Sequence, residues 1–217
     1  MGACVEGPSS VWEQNGHNVG VDALNRCWLG FPLPPAIAEL VGSAQNEIRR
    51  RAGGDAIRWL PAGEIAVRLV SLGEVSPRTL ALLDQPVGQV VGRHAPISLR
   101  LEGAGGSPNL TMPRTAWIGI AGEADALKAL SHDLTACTGH LSETTDHTEF
   151  EATLQIGRLR KFDERARSEM GRSLRMSKIG VLGEFTLDSV HVLCAETGDT
   201  GPFLRSLTSF PLGTPGG

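Results

Sequence analysis

The order of the predicted strands and helices indicates an α+β protein. Along the chain we predict a strand, a helix, a strand, a helix, two strands, a helix, a strand, a helix and a closing hairpin. Because this order lacks a regular β-α-β alternation, it favours antiparallel-rich sheets over a parallel doubly wound sheet. Each half of the chain also places a long helix beside a strand of alternating apolar residues, which suggests two related lobes.

The first half of the chain supplies the clearest periodic segments. "RCWLGF" (26–31) is a short apolar run before "PLPP", and it predicts a buried strand followed by a helix that begins at a proline. Apolar residues in 36–51 recur on one helical face, and three arginines suit the end of that helix. Residues 64–72 alternate between apolar and other side chains, which predicts a strand with one face on the core. A Ser-Pro pair after this strand starts a second helix.

The second half predicts the remaining elements. "PISLRLEG" and "TAWIGIAG" are two strands joined by the loop "AGGSPNLTMPR", and leucines on one stripe predict a helix over 123–137. A further strand is expected over about 149–157. Residues 162–178 form either a charged helix or an irregular basic segment. "FTLDSVHVLCA", the turn "ETGDTGP" and "FLRSLTSF" then predict a closing hairpin.

Size and composition bound the kind of protein. The 217 residues are 41% hydrophobic and 20% charged, which is ordinary for a globular protein. The net charge of -4 means that nucleic-acid binding would need a local basic patch. The chain starts without a signal-peptide pattern, has no apolar stretch of about 20 residues, and scatters its four cysteines. We therefore expect a cytoplasmic protein with reduced thiols and no membrane partner.

The domain boundaries follow from where the polar, glycine-rich ends of the chain meet periodic sequence. Residues 1–24 predict an N-terminal extension, residues 25–213 a single bilobal domain, and residues 214–217 a loose tail.

Five segments in the same order resemble the two-histidine (2H) phosphoesterases, and most closely the RNA 2′,3′-cyclic phosphodiesterases, or 2′–5′ RNA ligase-like proteins. The similar segments, which together span about 26–213, are "RCWLGFPLPPAIAEL", "IRWLPAGEIAVRLVSLGEVSP", "MPRTAWIGI", "FEATLQIGRLR" and "FTLDSVHVLCAE…FPLG". The resemblance implies a bilobal fold in which two antiparallel-rich sheets flank a central cleft and the helices lie outside.

The resemblance also implies two motifs, His-x-Thr/Ser-x, that face each other across the cleft. One imidazole would take a proton from the attacking hydroxyl or water while the other protonates the leaving oxygen. Here the first motif falls on "AVRL" (66–69) and the second on "EATL" (151–154), so both histidines are replaced. "HLS" (140–142) also reads His-x-Ser, but we expect it to lie in a polar loop.

The replacing residues predict different chemistry. Ala66 offers neither a proton nor a lone pair, and Arg68 binds anions but stays protonated. Glu151 can act as an acid or a base. We therefore expect a degenerate cleft recruited to cofactor-independent acid/base chemistry on a small molecule. In it Glu151 moves a proton, Arg68 anchors the ligand, and Thr153, which keeps the family's residue type, orients it.

Three alternatives remain at this point. The cleft could bind a nucleotide or RNA without turnover, as a pseudoenzyme. Arg68 and Glu151 could instead pair with each other and fill the cleft, as buried ion pairs do in many proteins. A retained 2′,3′-cyclic phosphodiesterase or 2′–5′ RNA ligase activity is the third alternative, and the loss of both histidines argues against it.

Four other side chains are candidate ligand contacts. Trp59 could stack on a flat ligand or lie in the core, and Arg114 could touch an anion or lie on the surface. Arg158 begins a segment, 158–178, whose eight basic and three acidic residues could steer an anion or RNA, or form a solvated surface. His191 could face the cleft or be a hydrogen-bonded core histidine. The dispersed histidines and cysteines predict no metal site.

Overall fold

The computed structural model of the chain describes residues 25–52, 57–139, 150–160, 163–199 and 201–213. The predicted N-terminal extension and tail and the "HLS" segment lie outside these residues. The elements, in chain order, are β1 (Asn25–Pro32), α1 (Pro35–Ala52), β2 (Ile57–Trp59), a 3₁₀ helix (Ala62–Glu64), β3 (Ala66–Val75), α2 (Pro77–Val91), β4 (Ile97–Ser107), β5 (Thr115–Gly122), α3 (Ala124–Thr138), β6 (Thr153–Leu159), α4 (Glu164–Met176), β7 (Val181–Leu187), β8 (Ser189–Gly198) and β9 (Gly201–Pro211).

The strands form two antiparallel sheets. Sheet I has the order β3-β1-β8-β9 and sheet II the order β2-β6-β5-β4-β7. Strands β3 and β6 approach each other where the two sheets face, and the gap between these strands is the cleft. The predicted α+β class with two antiparallel-rich sheets is confirmed.

Each sheet carries a pair of helices on its other side. Helices α2 and α3 pack together on sheet I, where the buried Ser131 hydroxyl donates to the Leu69 carbonyl at 2.8 Å. Helices α1 and α4 pack together on sheet II, and the Ser173 hydroxyl donates to the Ile48 carbonyl at 2.6 Å. Both serines are buried, and each hydroxyl finds its hydrogen-bond partner in a backbone carbonyl.

Three predicted elements need correction. "FTLDSVHVLCA" is not one strand, because it ends sheet II at Leu187 and starts sheet I at Ser189, with Asp188 between. The predicted loop 104–114 begins too early, because β4 continues to Ser107. The strand predicted over 149–157 begins only at Thr153. For the basic segment, the helix is the correct alternative, because α4 runs from Glu164 to Met176.

The prediction of reduced thiols is wrong for one pair of cysteines. Cys27 on β1 and Cys194 on β8 lie directly opposite each other in sheet I and form a disulfide. Both side chains are buried. Cys137 is a free thiol, and Cys4 lies outside the described residues. Of the helices in the described ranges, none has both the length and the apolar character that a bilayer crossing requires.

The buried amide of Gln45 on α1 fixes one wall of the cleft. Its Nε2 donates to the carbonyls of Leu60 and Ile156, each at 2.8 Å. We expect Gln45→Met to lower the free energy of unfolding by about 2 kcal/mol, because the Leu60 carbonyl loses the Nε2 donor and the Ile156 carbonyl keeps only the Leu60 N–H. Urea denaturation measures this, with the exposed Asn46→Met as the control, for which we expect a change within about 0.5 kcal/mol. Equal effects of the two substitutions would contradict the bridging role of Gln45.

Candidate functional site

One cavity of about 260 Å³ in the cleft brings together the positions at which the resemblance placed the two motifs. Positions 66 and 68 reach it from β3, and positions 151 and 153 reach it from the start of β6. The lining residues are Leu60, Glu64, Ala66, Arg68, Phe150, Glu151, Thr153 and Gln155. Residues far apart in the chain therefore share one site, because the two sheets face each other there.

Arg68 is the main cation of the cavity. Its guanidinium lies 4.4 Å from the centre of the Trp28 ring, and its Nη2 donates to the Glu64 carbonyl at 3.1 Å. Burial lowers the pKa of Arg68, the Glu64 carboxylate opposes this shift, and the cations Arg26 and Arg158 add to it. A guanidinium nevertheless remains protonated in a protein, so the site holds a desolvated positive charge.

Arg68 does not form an ion pair with Glu151 in the described part of the chain. The carboxylate of Glu64 accepts instead from Arg58 Nη2 at 3.1 Å, and only its backbone carbonyl holds Arg68. The alternative in which Arg68 and Glu151 pair and fill the cleft is therefore wrong. Both charged groups remain directed at the same cavity.

Glu151 is exposed and is contacted by a short hydrogen-bonded chain from sheet II. The Trp117 indole Nε1–H donates to Ser107 Oγ at 3.0 Å, and that hydroxyl donates to Glu151 Oε2 at 3.4 Å. Because a hydroxyl carries one proton, the indole directs the proton of Ser107 toward the carboxylate. None of the described residues donates a hydrogen bond to the other carboxylate oxygen of Glu151.

The two smaller residues shape the cavity. Ala66 is almost buried, and its methyl group leaves room where a larger side chain would enter the cavity. Thr153 is half-buried, and its backbone N–H donates to the Glu151 carbonyl at 2.7 Å. This backbone bond holds the two residues of the second motif in one tight turn at the start of β6.

Three further predicted contacts do not line the cavity. Trp59 packs over Gly157, so its ring is a partly buried wall of sheet II. Arg114 has an exposed side chain at the start of β5. Arg158 is exposed and lies opposite Arg58 in the β2–β6 pair, and it acts on Arg68 through its charge. Their predicted roles in ligand binding stay predictions.

His191 lies on the cleft face of sheet I but outside the cavity. Gly30 on β1 is opposite Arg68 in β3 and opposite His191 in β8, and directly opposed residues project from the same face. The imidazole is half-buried between two serine hydroxyls, 3.1 Å from Ser189 Oγ and 2.8 Å from Ser206 Oγ. Burial lowers the pKa of His191, and Asp188 opposes that shift.

Part of the basic segment has a structural role. Arg167 is buried, and its Nη2 donates to the Met112 carbonyl at 2.9 Å. Arg175 Nη1 donates to the Leu110 carbonyl at 3.0 Å. These two arginines of α4 hold the connection between β4 and β5. In the described ranges, no three His, Cys, Asp or Glu side chains are grouped as metal ligands.

Sequence reasoning missed Trp28, Glu64 and Ser107 as parts of the site. Trp28 sits in the apolar run "RCWLGF", which is typical of core, and Ser107 falls in the predicted loop. Of these three residues, only Glu64 had a signal in the sequence, because it lies close to the first motif. The contacts of the other two depend on strand pairing between distant segments.

No protein-family model matches the chain. It is similar to curated proteins described as RNA 2′,3′-cyclic phosphodiesterases. It is 21% identical over 191 residues to the Aquifex aeolicus protein, which covers 87% of this chain and 97% of that protein. It is 28% identical over 183 residues to the Geobacillus stearothermophilus protein, covering 84% of this chain and 54% of the relative. The chain thus spans about half the length of the Geobacillus protein.

Solved structures show the same fold. TT0787 of Thermus thermophilus has a TM-score of 0.66 at 18% identity, covering 88% of this chain and 100% of that one. E. coli LigT, complexed with 3′-AMP, has a TM-score of 0.67 at 18% identity, with coverages of 87% and 98%. LigT was also solved with ATP and with NADP+. The predicted resemblance to the 2H phosphoesterase superfamily is confirmed.

Arg68 is half-buried and has no ion-pair partner among the described residues, and this predicts the effect of replacing it on stability. We expect Arg68→Met to leave the free energy of unfolding unchanged or to raise it by about 1 kcal/mol, because the substitution removes a desolvated charge. The exposed Arg26→Met also removes a guanidinium near Trp28, and we expect a change within about 0.5 kcal/mol. Urea denaturation of both variants gives the comparison. A loss of about 2 kcal/mol or more in Arg68→Met would make Arg68 a structural residue.

Proposed function

We propose that this chain, which has the fold of the 2H phosphoesterases, binds a small anionic molecule in its cleft and carries out cofactor-independent proton transfer on it. In this proposal Arg68 anchors the anion, Glu151 moves the proton and Thr153 orients the ligand. The observation that carries the proposal is that Arg68 and Glu151 line one cavity from opposite sheets without pairing with each other.

Two-histidine phosphodiester chemistry is not supported by the described cavity. None of its described lining residues carries an imidazole, and the motif positions hold Ala66 and Glu151 instead. An arginine cannot replace a histidine as a general base, because it does not release its proton near neutral pH. A carboxylate at position 151 would also repel a phosphate placed beside it.

Arg68 has the properties of an anion anchor. Its side chain is half-buried, no carboxylate pairs with it among the described residues, and Arg26 and Arg158 make its surroundings more positive. A ligand anion that reached the guanidinium would compensate a charge that the fold has already desolvated. The Trp28 ring and the Glu64 carbonyl hold the guanidinium plane, so little side-chain entropy is lost on binding.

Glu151 has the properties of a proton-transfer group. It is exposed to the cavity, and Ser107 fixes one of its oxygens. A carboxylate that is oriented in this way can take a proton from a ligand held by Arg68 and return it elsewhere on the same molecule. This is an isomerisation or elimination type of chemistry that needs no metal or organic cofactor.

Nucleotide binding without turnover is the second candidate function. It is favoured by the similarity to LigT, which was solved in complex with 3′-AMP and with ATP. Under this alternative, Arg68 would hold a phosphate group and Glu151 a ribose hydroxyl. RNA is a further candidate ligand under the same alternative, with Arg158 on its path toward the cavity.

We also propose the cytoplasm as the site of action.

Glu151→Gln separates the two candidates. We expect the wild-type protein to deplete at least one small anionic compound from a metabolite extract, and Glu151→Gln to lose that turnover by at least about 100-fold, because the amide cannot accept the proton. Mass spectrometry of the extract before and after incubation measures this. Binding of 3′-AMP, ATP and phosphate to both proteins is followed by calorimetry. Depletion that is equal in the two proteins would contradict the role of Glu151, and 3′-AMP binding without any depletion would favour the binding protein.

Rebuilding the two imidazoles tests the assignment of the motif positions. We expect no hydrolysis of 2′,3′-cyclic nucleotides by the wild-type protein. The triple variant Ala66→His, Arg68→Thr, Glu151→His should gain this activity, because Thr153 is already in place and a general acid–base pair contributes about 100-fold or more.

The matched control carries Ala66→His and Arg68→Thr with Glu151→Gln, so that it has one imidazole instead of two. It should show at most a few per cent of the activity of the triple variant, since one partner of the pair is missing. Circular dichroism confirms that both variants are folded. Hydrolysis by the wild-type protein would contradict the proposed loss of phosphodiesterase chemistry, whatever the variants do.

A further inference from the structure

A chain of four polar side chains crosses sheet I outside the cavity. Ser189 Oγ donates to Asp188 Oδ1 at 2.8 Å and lies 3.1 Å from His191 Nε2. On the other side of the ring, His191 Nδ1 lies 2.8 Å from Ser206 Oγ. This hydrogen-bonded chain of side chains therefore runs from a carboxylate through a hydroxyl and an imidazole to a second hydroxyl.

The number of protons in this chain fixes the direction of each hydrogen bond. Ser189 uses its one proton toward Asp188, so its oxygen can only accept from the imidazole, and Nε2 of His191 carries a hydrogen. In a neutral imidazole the other nitrogen, Nδ1, is then an acceptor. Ser206 must donate to it. The proton of Ser206 thus points at a basic nitrogen whose tautomer the carboxylate fixes from the far end.

A β-bulge brings Ser206 to this position. Val192 pairs with Thr208 and Leu193 pairs with Ser206, so Leu207 is an extra residue in β9. Without the extra residue, the serines at 206 and 209 would project from opposite faces, because side chains alternate along a strand. The bulge places both on the face of His191, and bulges often redirect a side chain in this way near functional sites.

The groups have the exposure that a nucleophile and its base need. Ser206 is exposed, whereas the imidazole of His191 is half-buried. Burial lowers the pKa of His191, which keeps the ring neutral and able to accept a proton near neutral pH. Leu193, the register partner of Ser206, is buried, and Trp28, the register partner of Leu193, is partly exposed. The accessible part of the Trp28 ring gives this face an apolar surface for an uncharged acyl group.

We propose that Ser206 is a nucleophilic serine that accepts the acyl group of a small carboxylic ester, with His191 as its base. Ser206 Oγ attacks the ester carbonyl while its proton passes to His191 Nδ1, and the bond to the leaving oxygen then breaks as that proton is delivered to it. The products are an alcohol and an acyl ester on Ser206. Water, deprotonated by the same nitrogen, releases a carboxylic acid and restores the serine.

Asp188 and Ser189 are positioning residues in this site. They hold the hydrogen on Nε2 and thereby keep Nδ1 free to accept from Ser206. None of the four polar side chains lines the cavity of Arg68 and Glu151, and Trp28, which lies against the Arg68 guanidinium, is the one side chain that both sites use. The test below therefore fails or succeeds independently of the function proposed for the cavity.

Labelling with a fluorophosphonate, followed by peptide mass spectrometry of the full chain, tests the proposal. We expect a single adduct on Ser206, its loss in Ser206→Ala, and wild-type labelling in Ser209→Ala. Ser209 is an exposed serine on the same strand and is the register partner of His191, so it is a matched control. His191→Gln should slow the labelling by at least about 100-fold, because the base is removed. Hydrolysis of p-nitrophenyl acetate should follow the same order.

Two substitutions at position 189 distinguish positioning from a general structural role. Ser189→Ala should slow labelling of Ser206 at least about tenfold, whereas Ser189→Thr keeps the hydroxyl and should restore the rate. Thermal denaturation checks that the variants are folded. No adduct, an adduct on another residue, or a labelling rate in folded His191→Gln equal to that of the wild type would overturn the proposal.

Discussion

The close approach of β1 and β3 at Gly30 is the constraint on which both sites depend. A Cβ atom at this position would overlap the Val67 carbonyl oxygen, so the pairing of the two strands here requires glycine. Gly30 lies opposite Arg68 on one side and His191 on the other. The three residues form a row across sheet I, in which Arg68 and His191 lie on either side of a glycine that has no side chain. The same backbone contact thus directs one charged and one neutral basic group toward the cleft.

The cleft retains a charge arrangement that stability alone does not require. Burying a guanidinium costs free energy, and the Trp28 ring and the Glu64 carbonyl offset only part of that cost. An ion pair across the cleft with Glu151 would offset more, yet that carboxylate is contacted, among the described residues, by the Ser107 hydroxyl at 3.4 Å and not by Arg68. A charged side chain whose pKa is shifted and that lines a cavity, as Arg68 does, is more frequent at functional sites than elsewhere.

The sequence predicted local elements well and long-range geometry less well. Periodicity placed α1 and the core-facing strand β3 nearly correctly, because both patterns are set by neighbouring residues. It joined β7 and β8 into one strand, since the alternation of side chains runs through Asp188 and only tertiary pairing shows that the chain changes sheets there. The resemblance predicted that positions 66, 68, 151 and 153 would meet. The contacts of Trp28 and Ser107, and the serine-histidine chain on β8 and β9, depend on strand register, which a single sequence does not specify.

The Cys27–Cys194 disulfide links residues 167 positions apart, so it encloses all four helices and the whole of sheet II in one covalent ring. Such a ring restricts the unfolded chain, and closure at this length is worth about 5 kcal/mol in the entropic account. A protease that nicked the backbone once inside the ring would not release a fragment, because the two pieces would stay tethered through neighbouring strands. While the disulfide is formed, a single backbone cut inside the ring therefore does not separate the two sheets that line the cleft. Reduction of the disulfide removes this covalent link.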